Sequence, residues 1–457
     1  MSETLRESST ATEQPVTRRL ADHATALRFE DLPSATVEVA KHCLLDWLGV
    51  TIAGQREPLS RMLTEQVLAD GGAPQATLIG DGRKVSAPQA ALVNGSASHA
   101  LDFDDVQERF HGHPTAPVAP VLLALAEQQG STGRDFIAAL VAAVEAECRI
   151  NVYMGDGHYE RGWHSTATNG AFGAAVAASR LLGLDAHQCA LAMGVAGTQA
   201  AGLRAMFGTM CKPLHAGKAA QNGLFAAQLV ARGFTSRADV LERPMGFAAT
   251  QSDGADAQAA LAGLGEGFEI QQVLFKYHAA CHGVHATIEA IRAIRAKAAF
   301  QPDDVQRVEV AVQREYMNIC GIPTPETGLE GKFSLRFCAA LALAGADTAL
   351  TSTYSDANVK DPAMVALFEK VVIVPVERMK MKVAEVTVHL HDGVVHRERY
   401  DAGIPERDLA LQWRKLEAKF RSCAEPTLGA EQTGRLIEAV ERLDTAADLS
   451  ALLAACA

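Results

Sequence analysis

The sequence predicts a mainly α protein, with a large all-helical domain and a smaller α+β domain, on three observations. Aromatic residues are only 5% of a chain that is 48% hydrophobic and rich in alanine and glycine, which suits closely packed helices better than aromatic-rich strands. Helix start and stop signals follow one another from Leu20 to about Leu264. Beyond Gly267 the apolar period shifts from helical to alternating. A chain of 457 residues also exceeds the size at which a single core usually keeps growing.

Residues 1–19 are polar and carry acidic side chains, unlike a signal or transit peptide, so a frayed tail is expected there. The helical domain takes residues 20–266. Thr132 with Asp135 forms a capping-box pattern ahead of Phe136–Val152, and Asp185 with Gln188 repeats it ahead of Ala190–Val195. Between them, Thr166–Leu182 reads as a helix that stops at Gly183, with an inner face of glycine and alanine for tight interhelical packing. Pro213 pushes Lys212 toward an extended conformation, so a loop is expected up to His215, with the helix resuming at Gly217 and ending at Gly233.

The α+β domain takes residues 267–404. A helix over His285–Ala298 leads into Val308, Val310 and Val312, which alternate with polar neighbours as in a half-buried strand. Val371–Val374 reads as a second strand, and Leu335–Leu343 and Pro362–Lys370 as helices. Val386, Val388 and Leu390 alternate again before Asp392-Gly393 turns the chain into Val394–Tyr400, a hairpin signal. Residues 405–457 return to helix, over Leu409–Phe420, Glu431–Leu443 and Leu449–Cys456, and are expected to pack with the large helical domain.

The net charge of −12 argues against a nucleic-acid partner, so any anionic ligand must be small and held by a local cluster of cations. Nine cysteines, an odd number without short paired spacings, fit free thiols in a reducing cytoplasm. The apolar stretches are interrupted before the ~18 residues a membrane span requires, so no membrane partner is expected.

Four segments carry the candidate chemistry. Lys212 and His215, with Lys218 on the helix that follows, stand where free backbone N–H groups and a helix dipole at the loop-to-helix entry favour carboxylate or phosphate, unless the segment is simply a solvated loop. His99, Asp102, Asp104, Asp105, His111 and His113 fall within fifteen residues and offer metal-ligand types, or solvated aspartates at a helix end. His164 opens a glycine- and alanine-rich helix, where the dipole pushes an imidazole toward neutrality. Lys276, Cys281 and His285 lie at the domain junction, where ligand clefts tend to form. Jointly these residues supply cations, neutral histidines and a carboxylate, the set needed to remove a proton next to a carboxylate group. A metal-dependent hydrolase using Asp102, Asp105, His111, His113 and His164 is a competing reading, although no motif has the spacing of a known metal site. A non-enzymatic helical binding protein is another.

The runs His-Ala-Leu-Asp-Phe-Asp-Asp (99–105), Gly-His-Pro-Thr (112–115), Gly-Trp-His-Ser-Thr (162–166), Lys-Pro-Leu-His-Ala-Gly-Lys-Ala-Ala (212–220) and Phe-Lys-Tyr-His-Ala-Ala-Cys (275–281) together resemble the MmgE/PrpD family. Its members include 2-methylcitrate dehydratase, cis-aconitate decarboxylase and iminodisuccinate epimerase. The resemblance implies a large helical and a smaller α+β domain, a homodimer, no cofactor and no obligatory metal. It also implies a cofactor-independent lyase or isomerase acting on a small di- or tricarboxylate by α-proton abstraction. Carried over by position, the decarboxylase site corresponds to Asp102, His113, His164, Lys212 and Lys276. Lys212 and Lys276 would bind substrate carboxylates, with His215, His285 and Lys218 as further binding residues. His113 and His164 would be acid and base, Asp102 would orient one of them, and Cys281 or a lysine would reprotonate the opposite face in an epimerisation. Cys281 stands where the decarboxylase has a histidine, and Val106 where it has a threonine. The dehydratase branch reads Asp-Phe-Asn-Asp, whereas Phe207-Gly-Thr-Met, Gly157-His-Tyr and Cys281 are closer to the epimerase.

Overall fold

The computed structural model describes residues 15–456. The expected tail lies outside the described residues up to position 14, and its remainder is a correction. A helix spans Val16–Ala26, so residues 16–19 are helical. Their polar content hid this, because Thr17 is buried, its hydroxyl donating to the Glu242 carboxylate at 2.6 Å.

The large helical unit is built around the helices Ser34–Gly54, Ala87–His99, Thr115–Gln129, Gly133–Met154, Ser165–Leu181 and Cys211–Val230. Both capping boxes form: Thr132 accepts from the Asp135 N–H and Asp185 from the Gln188 N–H. Satisfying these otherwise unpaired N–H groups is worth about 1 kcal/mol per cap. The small residues bring the helices close. A Cβ built on Gly217 would lie 2.1 Å from the Leu92 carbonyl, and one on Gly95 would lie 3.0 Å from Gly217 Cα. Two expectations are corrected. The Cys211–Val230 helix begins before Pro213, which is tolerated because its missing N–H falls in the first turn, where no intrahelical acceptor exists. A two-stranded antiparallel ribbon, β1 (Ala76–Thr77) and β2 (Lys84–Val85), interrupts the helical run; strands this short carry no readable period.

The smaller unit is a four-stranded mixed sheet of β3 (Val305–Gln313), β4 (Val371–Val376), β5 (Val383–Leu390) and β6 (Val395–Asp401), in the order β4-β3-β5-β6. β3 runs parallel to β4 and antiparallel to β5, and β5 and β6 form the hairpin whose turn holds Gly393 at φ 89°. The helices His285–Lys297 and Leu335–Ala344 pack together, the former against the alternating buried face of the sheet. Their core is separate from that of the helical unit except for Val50, Phe103 and Cys423, which reach into it. The C-terminal helix Leu409–Glu441 breaks at Gly429 (φ 77°) into two arms, and its first arm lies against Ser34–Gly54. No helix among the described residues is long and apolar enough to cross a membrane.

Replacing Gly217 by valine forces its helix away from Leu92 and Ser96, because backbone cannot yield as a flexible side chain can. The expected loss is about 1–3 kcal/mol or more, seen as a lower Tm in a thermal melt; an unchanged Tm would contradict this close packing.

Candidate functional site

The turn after the Ala87–His99 helix faces the starts of three others. His113 precedes Thr115–Gln129, His164 caps Ser165–Leu181, and Lys212 and His215 lie in the first turns of Cys211–Val230. Lys276 arrives on the extended segment leading to the smaller unit, which pairs with the turn through reciprocal Val106–Leu274 backbone bonds of 2.8 Å. Residues far apart in sequence therefore meet at helix N-termini, whose free N–H groups favour anions.

Asp102 is the centre of this cluster. Its Oδ1 accepts from Lys212 Nζ at 2.9 Å and Lys276 Nζ at 3.1 Å, and its carbonyl accepts from Lys276 Nζ at 2.5 Å. His113 Nε2 is 3.5 Å from the same Oδ1. The surrounding protein would raise the Asp102 carboxyl, but Lys276 and Lys212 hold it well below the ordinary range. The side chain is 54% exposed, and the two ammonium groups together outweigh desolvation and set the sign. Lys276 stays a cation for the reciprocal reason: burial would lower it, and Asp102 and Asp104 raise it.

Asp104 is buried on the other side of the turn, where His99 Nδ1 donates to its Oδ2 at 2.9 Å. His113 Nδ1 stands 3.2 Å from that oxygen, off the line of a well-formed hydrogen bond. Burial would raise Asp104, yet the two imidazoles bring it well below the usual value. An ionised Asp104 favours the Nδ1–H tautomer of His113 and leaves Nε2, on the Asp102 side, free to accept a proton. Burial lowers His113 to about 4 despite Asp104, so it is neutral at pH 7. His164 is lowered further, by burial and then by its cationic and imidazole neighbours. Its Nδ1 is 3.2 Å from His215 Nδ1, and its ring meets the edge of Phe207 at 5.0 Å. Cys281 is drawn below the ordinary thiol value by a hydrogen bond from Cys320, against burial, with help from the Gly283 N–H and Lys276.

Six expected site residues therefore meet: Asp102, His113, Lys212 and Lys276 directly, His164 and His215 beside them. Asp104 rather than Asp102 reaches the far nitrogen of His113. Lys218 points outward to Gln221, and His285 binds the Ala280 carbonyl at 3.2 Å in a second group with His278 and His282. The cavity beside His285 is about 30 Å³, room for a water and not for a substrate. The five residues of the metal reading do not converge. His111 turns toward Asp156 and Tyr159, and Asp105 contacts Thr115. Ligand atoms of His99, Asp102, Asp104 and His113 do lie within 4.8 Å of one another. Two ammonium groups on Asp102, however, already neutralise that carboxylate and repel a dication.

Profiles of the MmgE/PrpD N-terminal and C-terminal domains match residues 18–260 and 278–445. The chain belongs to the MmgE/PrpD family. Among proteins with MmgE/PrpD-like sequences, it is 29% identical to the cis-aconitate decarboxylase-like protein oryM of Aspergillus oryzae, with 96% of each chain covered. It is 28% identical to cis-aconitate decarboxylase of Aspergillus terreus, covering 96% of this chain and 95% of that one. The human cis-aconitate decarboxylase is 27% identical over 96% and 93% of the two chains.

Sequence reasoning passed over two buried residues behind the candidate site, Asp46 and Lys419, whose side chains pair at 2.5 Å. The available signal was a charge on an apolar stripe: Lys419 shares a helical face with Leu416, Phe420 and Cys423, and Asp46 interrupts Cys43–Leu48.

Asp105 supplies a pH test. Burial, then the Asp46 charge, raise its carboxyl to about 8. A carboxyl raised on folding contributes stability that is complete below its unfolded value near pH 4 and lost as pH climbs through about 8. Asp105→Asn has no proton to lose, so its Tm relative to the natural protein is expected to improve by a few degrees between pH 5 and pH 8 and then level off. A constant Tm difference over that range would show that Asp105 is ionised throughout.

Proposed function

We propose that this protein is a lyase or isomerase of small di- or tricarboxylates that works by removing a proton α to a carboxylate, with no cofactor. The observation that carries this reading is the pair of ammonium groups, Lys212 and Lys276, converging on the half-exposed Asp102 carboxylate beside neutral His113. An α-proton beside a carboxylate is very weakly acidic, because its loss creates a second negative charge on the same group. Fixed cations must meet that charge as it develops. Lys212 and Lys276 would hold the substrate carboxylate and the dianion, sharing their hydrogen bonds with Asp102. His113 Nε2 would accept the proton. At about 4 the free imidazole is a weak base, but an arriving polyanion favours its protonated form and raises its basicity when substrate is present.

After proton removal, a β-hydroxyl can leave as water with a proton from an imidazolium, giving a dehydratase. Alternatively, Cys281 can deliver its proton to the opposite face, giving an epimerase. A second reading is decarboxylation of a cis-aconitate-like substrate, which the names of the relatives favour. The same lysines would then hold the carbanion left by departing CO2.

Proton NMR in D2O with 2-methylcitrate, citrate, cis-aconitate, iminodisuccinate and tartrate tests these outcomes. Exchange at the α-carbon is expected alone for an epimerase; a dehydratase adds an alkene signal, a vinyl proton from citrate or an allylic methyl singlet from 2-methylcitrate, whose product carries no vinyl proton. A new methylene signal with release of CO2 would favour the decarboxylase. In the active reaction, Lys276→Met is expected to lower kcat/KM by about 10²–10³-fold, as for loss of one transition-state donor. Full activity in that variant would remove Lys276 from the chemistry.

A further inference from the structure

The carbonyls of Asp102 and Phe103 are each held by a different lysine. Lys276 takes the first at 2.5 Å, and Lys419, from the C-terminal helix, takes the second at 2.6 Å. The Lys419 ammonium also lies 3.9 Å from the centre of the Phe103 ring and 2.5 Å from Asp46 Oδ1. Asp46 and Lys419 are almost completely enclosed, with side chains 1% and 2% exposed. Asp102 itself has φ 49°, a left-handed conformation uncommon outside glycine that aspartate adopts more readily than most residues.

We propose that Lys419, held in place by Asp46, is a positioning residue that fixes the Phe103 carbonyl and through it the left-handed turn aiming Asp102 and Asp104 at the lysines and His113. Its own side chain is closed off from solvent. Stability alone explains the pair poorly. Removing two charges from water costs several kcal/mol per ion, and apolar residues of similar volume often serve as well. The pair is also incompletely satisfied, since Asp46 Oδ2 has no hydrogen-bond partner. What an apolar pair cannot supply is the donor to Phe103. Two consecutive carbonyls, each held by its own lysine, set the peptide planes on either side of Phe103. Those planes determine where the flanking carboxylates point.

The inference rests on the proposed chemistry for its kinetic readout, and a second readout is independent of it. Two double variants separate donor from charge: Asp46→Leu with Lys419→Met removes both, whereas Asp46→Asn with Lys419→Gln keeps an amide donor near Phe103. On the substrate identified by NMR, the apolar pair is expected to lose at least tenfold in kcat with KM changed less than threefold, and the amide pair to retain most of the activity. Hydrogen–deuterium exchange should show the peptide carrying residues 100–106 exchanging at least tenfold faster in the apolar pair, with the helical core unaltered. Equal kcat and equal exchange in a folded apolar pair would overturn the proposal. Should that pair not fold, Asp46→Asn with Lys419→Met replaces it against the amide pair, and the same comparison decides. If the natural protein turns over none of the substrates, the functional reading falls while the exchange result still judges the clamp.

Discussion

The site depends on one backbone reversal, at Asp102. A strand would put Asp102 and Asp104 on one face, and a helix would put Asp102 above Asp105. The left-handed residue does neither, and the three aspartates go to three environments. Asp102 faces two ammonium groups in the cleft, Asp104 meets two imidazoles, and Asp105 is buried against Thr115. Their charge states separate accordingly, two held below the ordinary range and one raised to about 8. Identical side chains within four positions thus have different chemistry because the turn gives them different neighbours.

That separation explains how a protein of net charge −12 can present an anion site. Asp102 is the counter-ion of both Lys212 and Lys276, which brings their ammonium groups together at one oxygen. A substrate carboxylate entering beside it meets cations already oriented, so little reorganisation remains when charge develops. The neutral histidines complement this arrangement. Imidazolium groups at His113 and His164 would crowd four positive charges together, and burial prevents it.

Much of this was legible in the sequence, for physical reasons that can be named. The capping boxes at Thr132 and Asp185, the Asp392-Gly393 hairpin and the alternating valines of β3 are local signals, and all formed. Motifs placed Asp102, His113, His164, Lys212 and Lys276, and the fold brings them together. Local rules failed where tertiary position outweighs them. Pro213 reads as a helix breaker unless its place in the first turn is known, and Thr17 reads as tail unless Glu242 is known to receive it. Lys218 follows the same motif as Lys212, but helical rotation carries it outward. Asp46 and Lys419 were invisible as a pair, because the interaction joins positions 373 residues apart.

The distance between the lysine helix and the acidic turn is set away from the charged groups. The helices bearing His99 and Lys212 lie against each other at Gly95 and Gly217, where even a methyl group would strike backbone. Gly95 lies four residues before His99, and Gly217 five residues after Lys212, so the helices run antiparallel and their reactive ends project to the same side. With about 1.5 Å of rise per residue, the contact lies roughly 6–8 Å along the axis from each. Any separation forced at the contact moves Lys212 bodily away from Asp102, beyond what a flexible side chain can recover without losing its hydrogen-bond geometry. The small residues that make the helical unit compact therefore also hold the two lysines at one carboxylate, linking the packing of the core to the electrostatics of the site.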